Sequence, residues 1–426
     1  MDPKRALFCF LLLFCIYTGF RSGGISTSAG KFFTIASNTG HETFNKVQEC
    51  LTGESAGTIP ATAATSAVVM DVASRRVLYA KNPHIRLPMA STTKIMTAIL
   101  AIEMGDLDDV VTVSPRAVGI EGSSIYLGKG EKLTLEDLLY GLMLRSGNDA
   151  AVAIAEHIGG TVENFVNLMN RKAFQIGAKN TNFVNPHGLH DDNHYTTAYD
   201  LALISAYAME NPVFRTIAST KRKTIPWEGR NYSRVLQNKN ALLWDYEGAN
   251  GIKTGYTKKS GRCLASAALR FDMQLVCIVL NCQPWFEDSM ALLNFCFTNF
   301  KPHTVISEGQ VLGKVSVVDG FESSVDVISG EDVVLPVKEG EAGKIKIRAY
   351  LPSFIKAPVK AGRKVGYVEI YLGSDVRIRK ALYTASGVKE NTFISNFKRI
   401  IDKWLKCGLC SKKTANRPQI WQFRGC

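Results

Sequence analysis

The spacing of apolar residues divides the chain into stretches of different character. After Lys4 and Arg5, an apolar run from Ala6 to about Phe20 is short for a bilayer span and has the length of a secretory leader. Residues 1–23 are therefore expected to be a signal peptide, cut near Gly23 or at Ser28-Ala29-Gly30; an uncleaved N-terminal anchor is the alternative. Residues 24–62 are rich in Ser, Thr, Gly and Ala without a period, which predicts a flexible linker. Order is expected from about Ser66. Val68, Val69, Met70 and Val72, a turn at Ala73-Ser74-Arg75, then Val77, Leu78 and Tyr79 read as a β-hairpin.

The pattern then becomes helical. An apolar run without Gly or Pro follows Ser91. After a mixed region, Thr134-Leu135-Glu136-Asp137 opens a helix with a capping-box-like start, carrying Leu138, Leu139, Leu142 and Leu144 and stopping at Arg145-Ser146-Gly147-Asn148. Further helices are predicted from Asp149 to Ile158, from the Thr161 cap to Gly177, and from the Thr197 cap through Met209. Strands return at Gly251–Gly255, Cys263–Leu269 and Met273–Leu280, the last two joined across Arg270-Phe271-Asp272, and a helix near Asp288–Phe300 follows. Strands at both ends with helices between predict an α/β (α+β) domain over 63–301, in which the terminal strands meet in one sheet.

From 302 to 385 the runs are short and alternating, as in Val315–Val318, Lys344–Arg348 and Tyr367–Tyr371, with Gly and Pro turns between them; this predicts a small all-β sandwich. Residues 386–426 are expected to carry an amphipathic helix. Phe393, Ile394, Phe397, Ile400, Ile401, Trp404 and Leu405 share one face, and Lys398, Arg399, Lys403 and Lys406 the other. A basic face opposite an apolar stripe with Trp fits a membrane interface; packing on its own domain is the plainer alternative.

Composition adds a bias. The 426 residues carry 51 Lys and Arg against 38 acids, a formal +13, which favours anionic partners such as phospholipid, acidic polymers or carboxylate substrates. No nucleic-acid module accompanies the charge, so no nucleic-acid partner is expected. Cys263, Cys277 and Cys296 sit in apolar segments and read as core residues, Cys282 as a loop residue; Cys407-Gly408-Leu409-Cys410 resembles half a zinc site without its second half.

The candidate chemistry starts at Ser91 and Lys94. Three residues apart on a helix, a hydroxyl and an amine share a face, and a lysine that has lost its proton can take one from the serine. Alone this spacing is weak. It gains weight from Ser146-Gly147-Asn148 in an interhelix turn and Lys253-Thr254-Gly255 on a late strand. The three together, in this order, resemble the penicillin-recognising serine enzymes. Pro186-His187-Gly188-Leu189, Thr197-Ala198-Tyr199-Asp200-Leu201 and Asn250–Thr257 extend the likeness to the low-molecular-mass D-alanyl-D-alanine carboxypeptidases, over about Ala64 to Leu405.

That resemblance implies a serine β-lactamase/DD-peptidase-like fold and a serine-type carboxypeptidase that removes the terminal D-alanine from peptidoglycan pentapeptides. Ser91 would be the nucleophile and Lys94 its base, with Lys253 the cation that lowers the lysine's pKa. Ser146 would relay the proton. Asn148, Lys253, Thr254, Gly255, Tyr256 and His187 would form the substrate-binding set, with the N–H groups of Ser91 and Tyr256 as oxyanion hole. β-Lactams would acylate the same serine. The protein would be exported and peripheral to the periplasmic face of a bacterial inner membrane. Tyr256 stands where many family members carry His, and Ser-Gly-Asn replaces the Ser-Asp-Asn of β-lactamases. DD-endopeptidase, transpeptidase and weak β-lactamase activities use the same residues, and a non-catalytic peptidoglycan-binding envelope protein is the alternative of another class. No cofactor or metal is expected; His187, His190 and His194 with Asp191 and Asp192 have metal-like spacing but no helix to fix it.

Overall fold

The computed structural model describes residues 32–35, 59–373, 376–393, 397 and 401. The expected leader and most of the expected tail helix lie outside these residues. In chain order, β1 (Phe32–Ile35) precedes the hairpin β2 (Ser66–Asp71) and β3 (Val77–Lys81). A 3₁₀ turn (Ala90–Thr93) runs into α1 (Lys94–Met104), followed by β4 (Val110–Thr112), β5 (Lys132–Thr134), α2 (Leu135–Leu144), α3 (Asn148–Gly159), α4 (Val162–Ile176), α5 (Ala198–Glu210) and α6 (Pro212–Ser219). Then come β6 (Arg222–Ile225), β7 (Arg234–Gln237), α7 (Leu242–Asp245), β8 (Ala249–Thr257), β9 (Gly261–Arg270), β10 (Met273–Leu280) and α8 (Trp285–Asn299). The second domain holds β11 (Lys301–Ile306), β12 (Val311–Val318), β13 (Ser324–Ser329), β14 (Val333–Val337), β15 (Ile345–Tyr350), β16 (Phe354–Lys356), β17 (Lys364–Leu372) and β18 (Val376–Thr384).

The caps anticipated from sequence form. Thr134, Thr161 and Thr197 each accept from the N–H three residues on, and Gly177 ends α4 at φ +96°. Asn211 caps α6 with Pro212 at its first position, a start signal the periodicity alone did not show. The β9–β10 turn places both Phe271 and Asp272 at positive φ, the twist a two-residue hairpin needs.

The sheet of the first domain is antiparallel in the order β3-β2-β10-β9-β8. The first and last strands of the domain therefore meet, with Val69 opposite Cys277. Alternate residues serve two cores. Val68, Met70, Val276 and Ile278 face the helices α1–α6, while Ala67, Val69, Leu275 and Cys277 face α8. Cys282, expected in a loop, is buried in this second core with Sγ 3.1 Å from Asp288 Oδ2.

In the second domain a seven-stranded sheet, β1-β15-β17-β18-β13-β12-β16, shares one apolar core with the β11–β14 pair. Two of its features differ from the expected boundaries. Residues 32–35, expected as linker, are the edge strand β1, with Phe32 opposite Tyr350. The chain also stays bound to the β domain past 385, through bridges Val359–Val388 and Gly320–Glu390, so any free tail begins later. Backbone pairing accounts for both: β1 covers the open edge of β15, and Val388 and Glu390 bridge to Val359 and Gly320 in the loops. The two domains are tied by Arg76 at the first hairpin. It donates to both carboxylate oxygens of Glu341 and to Pro336 O, and lies over the Phe300 ring.

Candidate functional site

Ser91 lies in the 3₁₀ turn that enters α1. The turn satisfies its own carbonyls: Thr92 Oγ1 donates to Met89 O and Thr93 Oγ1 to Ala90 O, at 2.6 and 2.8 Å. Two glycines let neighbouring backbone press against it. A Cβ on Gly255 of β8 would lie 2.9 Å from Ser91 N, and one on Gly188 would lie 1.9 Å from Ala90 O. Only residues without side chains fit at either point. The strand carrying Lys253-Thr254-Gly255 is thereby held edge-on to the serine.

Lys94 is fully buried one turn on. Its Nζ is 3.0 Å from Ser91 Oγ, 2.7 Å from Asn148 Oδ1 and 2.6 Å from His187 O. The last two are pure acceptors. A neutral amine has two N–H bonds and one lone pair, so donating to both leaves the lone pair for the serine hydroxyl. Burial holds the Lys94 pKa well below the usual lysine range, Lys253 and Lys239 push it the same way, and Asp149 opposes them.

Lys253 is buried too and donates to Thr254 O at 2.9 Å; burial, then Lys239, brings its pKa down to about 7. Ser146 sits buried at φ +64° in the turn between α2 and α3, one residue before Gly147 and two before Asn148. Tyr256, next along β8, is 61% exposed.

The structure therefore brings Ser91, Lys94, Asn148, His187, Thr254, Gly255 and Lys253 into one locus. Asn148 also has partners within the fold. Its Oδ1 faces Lys94, and its Nδ2 donates to Glu121 O, so this amide orients the amine. The histidines do not converge. His190 pairs with Asp192 at the surface, while His194 is buried beside Thr93. His194 Nδ1 accepts from Val184 N, so its proton is on Nε2 and goes to Thr93 Oγ1 at 2.7 Å. Burial lowers the His194 pKa to about 4 and the His187 pKa to about 3.

Sequence reasoning missed one wall of the site. The 121–131 segment brings Glu121 O and Ser123 O to Asn148, and Ser123 Oγ accepts from Lys239 at 3.0 Å. Asp149 binds its backbone at Ile125 and Leu127, and a buried Arg234–Glu131 pair closes its end. None of these residues has a motif. Lys239 could have been noticed only as a cation between two asparagines, Asn238 and Asn240, near the Lys253 strand.

The D-alanyl-D-alanine carboxypeptidase family model matches residues 53–284, more than half of the chain, and the C-terminal domain model of penicillin-binding protein 5 matches 300–390. The chain belongs to the D-alanyl-D-alanine carboxypeptidase family. The D-alanyl-D-alanine carboxypeptidase DacF of Bacillus subtilis is 32% identical to this family member over 352 residues, 80% of this chain and 90% of that one. The structure of penicillin-binding protein 5 from Haemophilus influenzae superposes with a TM-score of 0.64 at 32% identity, over 78% of this chain and 100% of that one. A Streptomyces K15 DD-transpeptidase variant matches at 0.54 and 34% identity over 56% of this chain and 99% of its own. Family membership makes this chain a serine-type peptidase with a carboxypeptidase catalytic domain and an all-β second domain.

Proposed function

We propose that the enzyme removes the terminal D-alanine of peptidoglycan stem peptides through an acyl-enzyme on Ser91. The observation that carries this is the Lys94 amine, buried, with two acceptors for its N–H bonds and Ser91 Oγ in its third direction. Lys94 takes the Ser91 proton as Oγ attacks the carbonyl between the two D-alanines. The oxyanion meets the N–H groups of Ser91 and Tyr256, whose neighbour Gly255 already touches the serine backbone. Ser146 passes the proton to the leaving amine, and D-alanine departs. Water, deprotonated by Lys94, then releases the shortened peptide. The substrate's free carboxylate is met by Thr254, with Lys253 and Lys239 supplying positive charge, which confines cleavage to chain ends. His187 contributes through its carbonyl, which fixes Lys94.

β-Lactams acylate the same serine in this scheme. Intact mass after benzylpenicillin treatment, with D-alanine release from a stem pentapeptide, tests it. A penicilloyl adduct on the wild type but not on Ser91→Ala, accompanied by release, is expected. No adduct and no release would overturn the enzymatic reading. An acceptor amine in place of water would make the reaction a transpeptidation, and the similarity to a DD-transpeptidase makes added amino acceptors a useful control.

The enzyme is proposed to work on the periplasmic face of a bacterial inner membrane, delivered by residues 1–23 and held peripherally by its C-terminal segment. No helix among the described residues is long and apolar enough to cross a membrane. Phe393, Phe397 and Ile401 have helical backbone, are spaced four apart and are exposed, with the two rings stacked 6.3 Å apart, as an interfacial helix requires. Co-sedimentation with anionic vesicles, lost on truncation after residue 391, is the expected result.

A further inference from the structure

Residues 221–239 carry six Lys or Arg and a single acid, Glu228. They form the β6–β7 hairpin and the turn that leads from it to the site. Pairing sets which side chains face out. Arg222 stands opposite Gln237 and Thr224 opposite Val235, and these four are exposed, while Ile225, Arg234 and Leu236 turn inwards. Along β7 and just beyond it, Val235, Gln237 and Lys239 are exposed in a row. Lys239 ends that row at the site wall, where it donates to Ser123 Oγ. Arg230 and Tyr232 are exposed at the tip, about 20 Å from Lys239 along the extended hairpin. Arg234 is taken by Glu131, and Lys223 has Glu136 at 3.9 Å. Lys221, Arg222 and Arg230 are exposed, and no carboxylate of a described residue pairs with them.

We propose that this strip docks the polymer that carries the substrate, by taking the terminal carboxylates of stem peptides next to the one being cut. The proposal rests on the carboxypeptidase reading above. Under that reading every stem peptide with a free end, cut or uncut, ends in a carboxylate, so the polymer presents anions at intervals. A lone small anion is held by cations that converge. Here Lys221 and Arg222 lie at the site end of the hairpin and Arg230 at its tip, a line that suits a chain of anions. The aromatic residues argue against a lipid surface. Lys221 lies 5.9 Å from the Trp244 ring centroid, and Arg230 and Arg234 lie 5.9 and 4.4 Å from that of Trp227. Rings held under cations are not bare apolar wedges for a bilayer. A guanidinium lying on a ring still keeps its N–H edge for a carboxylate.

The test uses the full chain and compares purified insoluble peptidoglycan bearing pentapeptide stems with a free stem pentapeptide. D-Alanine release gives kcat/KM for each. Arg222→Gln combined with Arg230→Gln is expected to lower the value on the polymer by about tenfold, about threefold for each exposed charge, and to leave the free peptide within about twofold of the wild type. Raising salt from about 0.05 M to about 0.5 M should cost the wild type a similar factor on the polymer and the double variant little. In a Ser91→Ala chain, co-sedimentation with the polymer should weaken on the same two substitutions. Equal losses on both substrates, or wild-type rates on both, would overturn the proposal. So would loss of anionic-vesicle binding with polymer turnover intact, which would give the strip to a membrane. Failure of the carboxypeptidase reading looks different: neither substrate loses D-alanine and benzylpenicillin leaves no adduct on Ser91, while co-sedimentation still reports on the strip.

Discussion

Asn148 Oδ1 lies 2.7 Å from Lys94 Nζ, and this contact ties the middle motif to the proposed base. Asn148→Asp keeps the acceptor and adds a negative charge, which favours the ammonium form of Lys94. The acid limb of kcat/KM should therefore move to higher pH by about one unit or more, with partial recovery in alkali. A residue that served only to grip substrate would instead lower kcat/KM by the same factor at every pH. Lys94→Ala, which removes the proposed base, should cost about 10²- to 10⁴-fold in penicillin acylation.

Lys253, proposed above to serve substrate binding, is held at the expense of stability. Its pKa falls from the ordinary lysine value of 10.5 to about 7 on folding. Between those values the unfolded chain holds a proton that the folded chain does not, so stability rises with pH across the window and its loss is complete below about 7. Lys253→Met should raise Tm at pH 7 by about 3 °C or more while reducing D-alanine release. Thermal melts should show that advantage shrinking towards pH 10.5.

Gly255→Ala separates site geometry from folding. The added methyl would stand 2.9 Å from Ser91 N and 3.1 Å from Thr92 N, so strand and turn must part by a few tenths of an ångström. A displacement of that kind at an oxyanion site is expected to lower acylation by about 10²-fold. Circular dichroism should stay native. Wild-type acylation by this variant would show that the close approach is not needed.

The buried histidines predict acid sensitivity. His194 folds with a pKa of about 4, below its ordinary 6.5, because burial disfavours the charged ring; the neutral ring sits between Val184 N and Thr93 Oγ1. Its contribution is present above 6.5 and lost as pH falls towards 4. His187, at about 3, extends the loss further down. His194→Gln should be less stable at pH 7 but show a flatter decline between pH 6.5 and 4 in denaturant melts.

Arg76 should set how the two domains sit. It makes two hydrogen bonds to Glu341, one to Pro336 O, and covers Phe300. Glu341→Gln weakens the pair alone, and Arg76→Ala removes all four contacts. Small-angle scattering is expected to show a broader interdomain distribution for Arg76→Ala than for Glu341→Gln, with penicillin acylation unchanged in both.

What could be read from the residues follows a physical divide. Ser91 and Lys94 are one helical turn apart, so their meeting is local and visible in spacing. Threonine caps at 134, 161 and 197 are local too. Glu131 comes from beside β5, and Arg234 and Lys239 from β7 and the turn after it, and only tertiary packing joins the two segments at the site. β4–β5 and β6–β7 were not anticipated because runs of three or four residues carry too little alternation to register. Cys282 lies in a loop beside Pro284, as its neighbours suggest, but its burial comes from tertiary packing that the spacing does not show.

The placement of β10 between β2 and β9 has a temporal consequence. A chain made from its N-terminus produces Ser91 and Lys94 early, then the β8–β9 hairpin with Lys253, but these halves share no sheet until β10 arrives to join them. Nascent chains that stop short of Leu280 therefore hold every motif residue and no working nucleophile. Competence to react with penicillin should appear abruptly, as a late event governed by long-range contacts, once that last strand is free to dock.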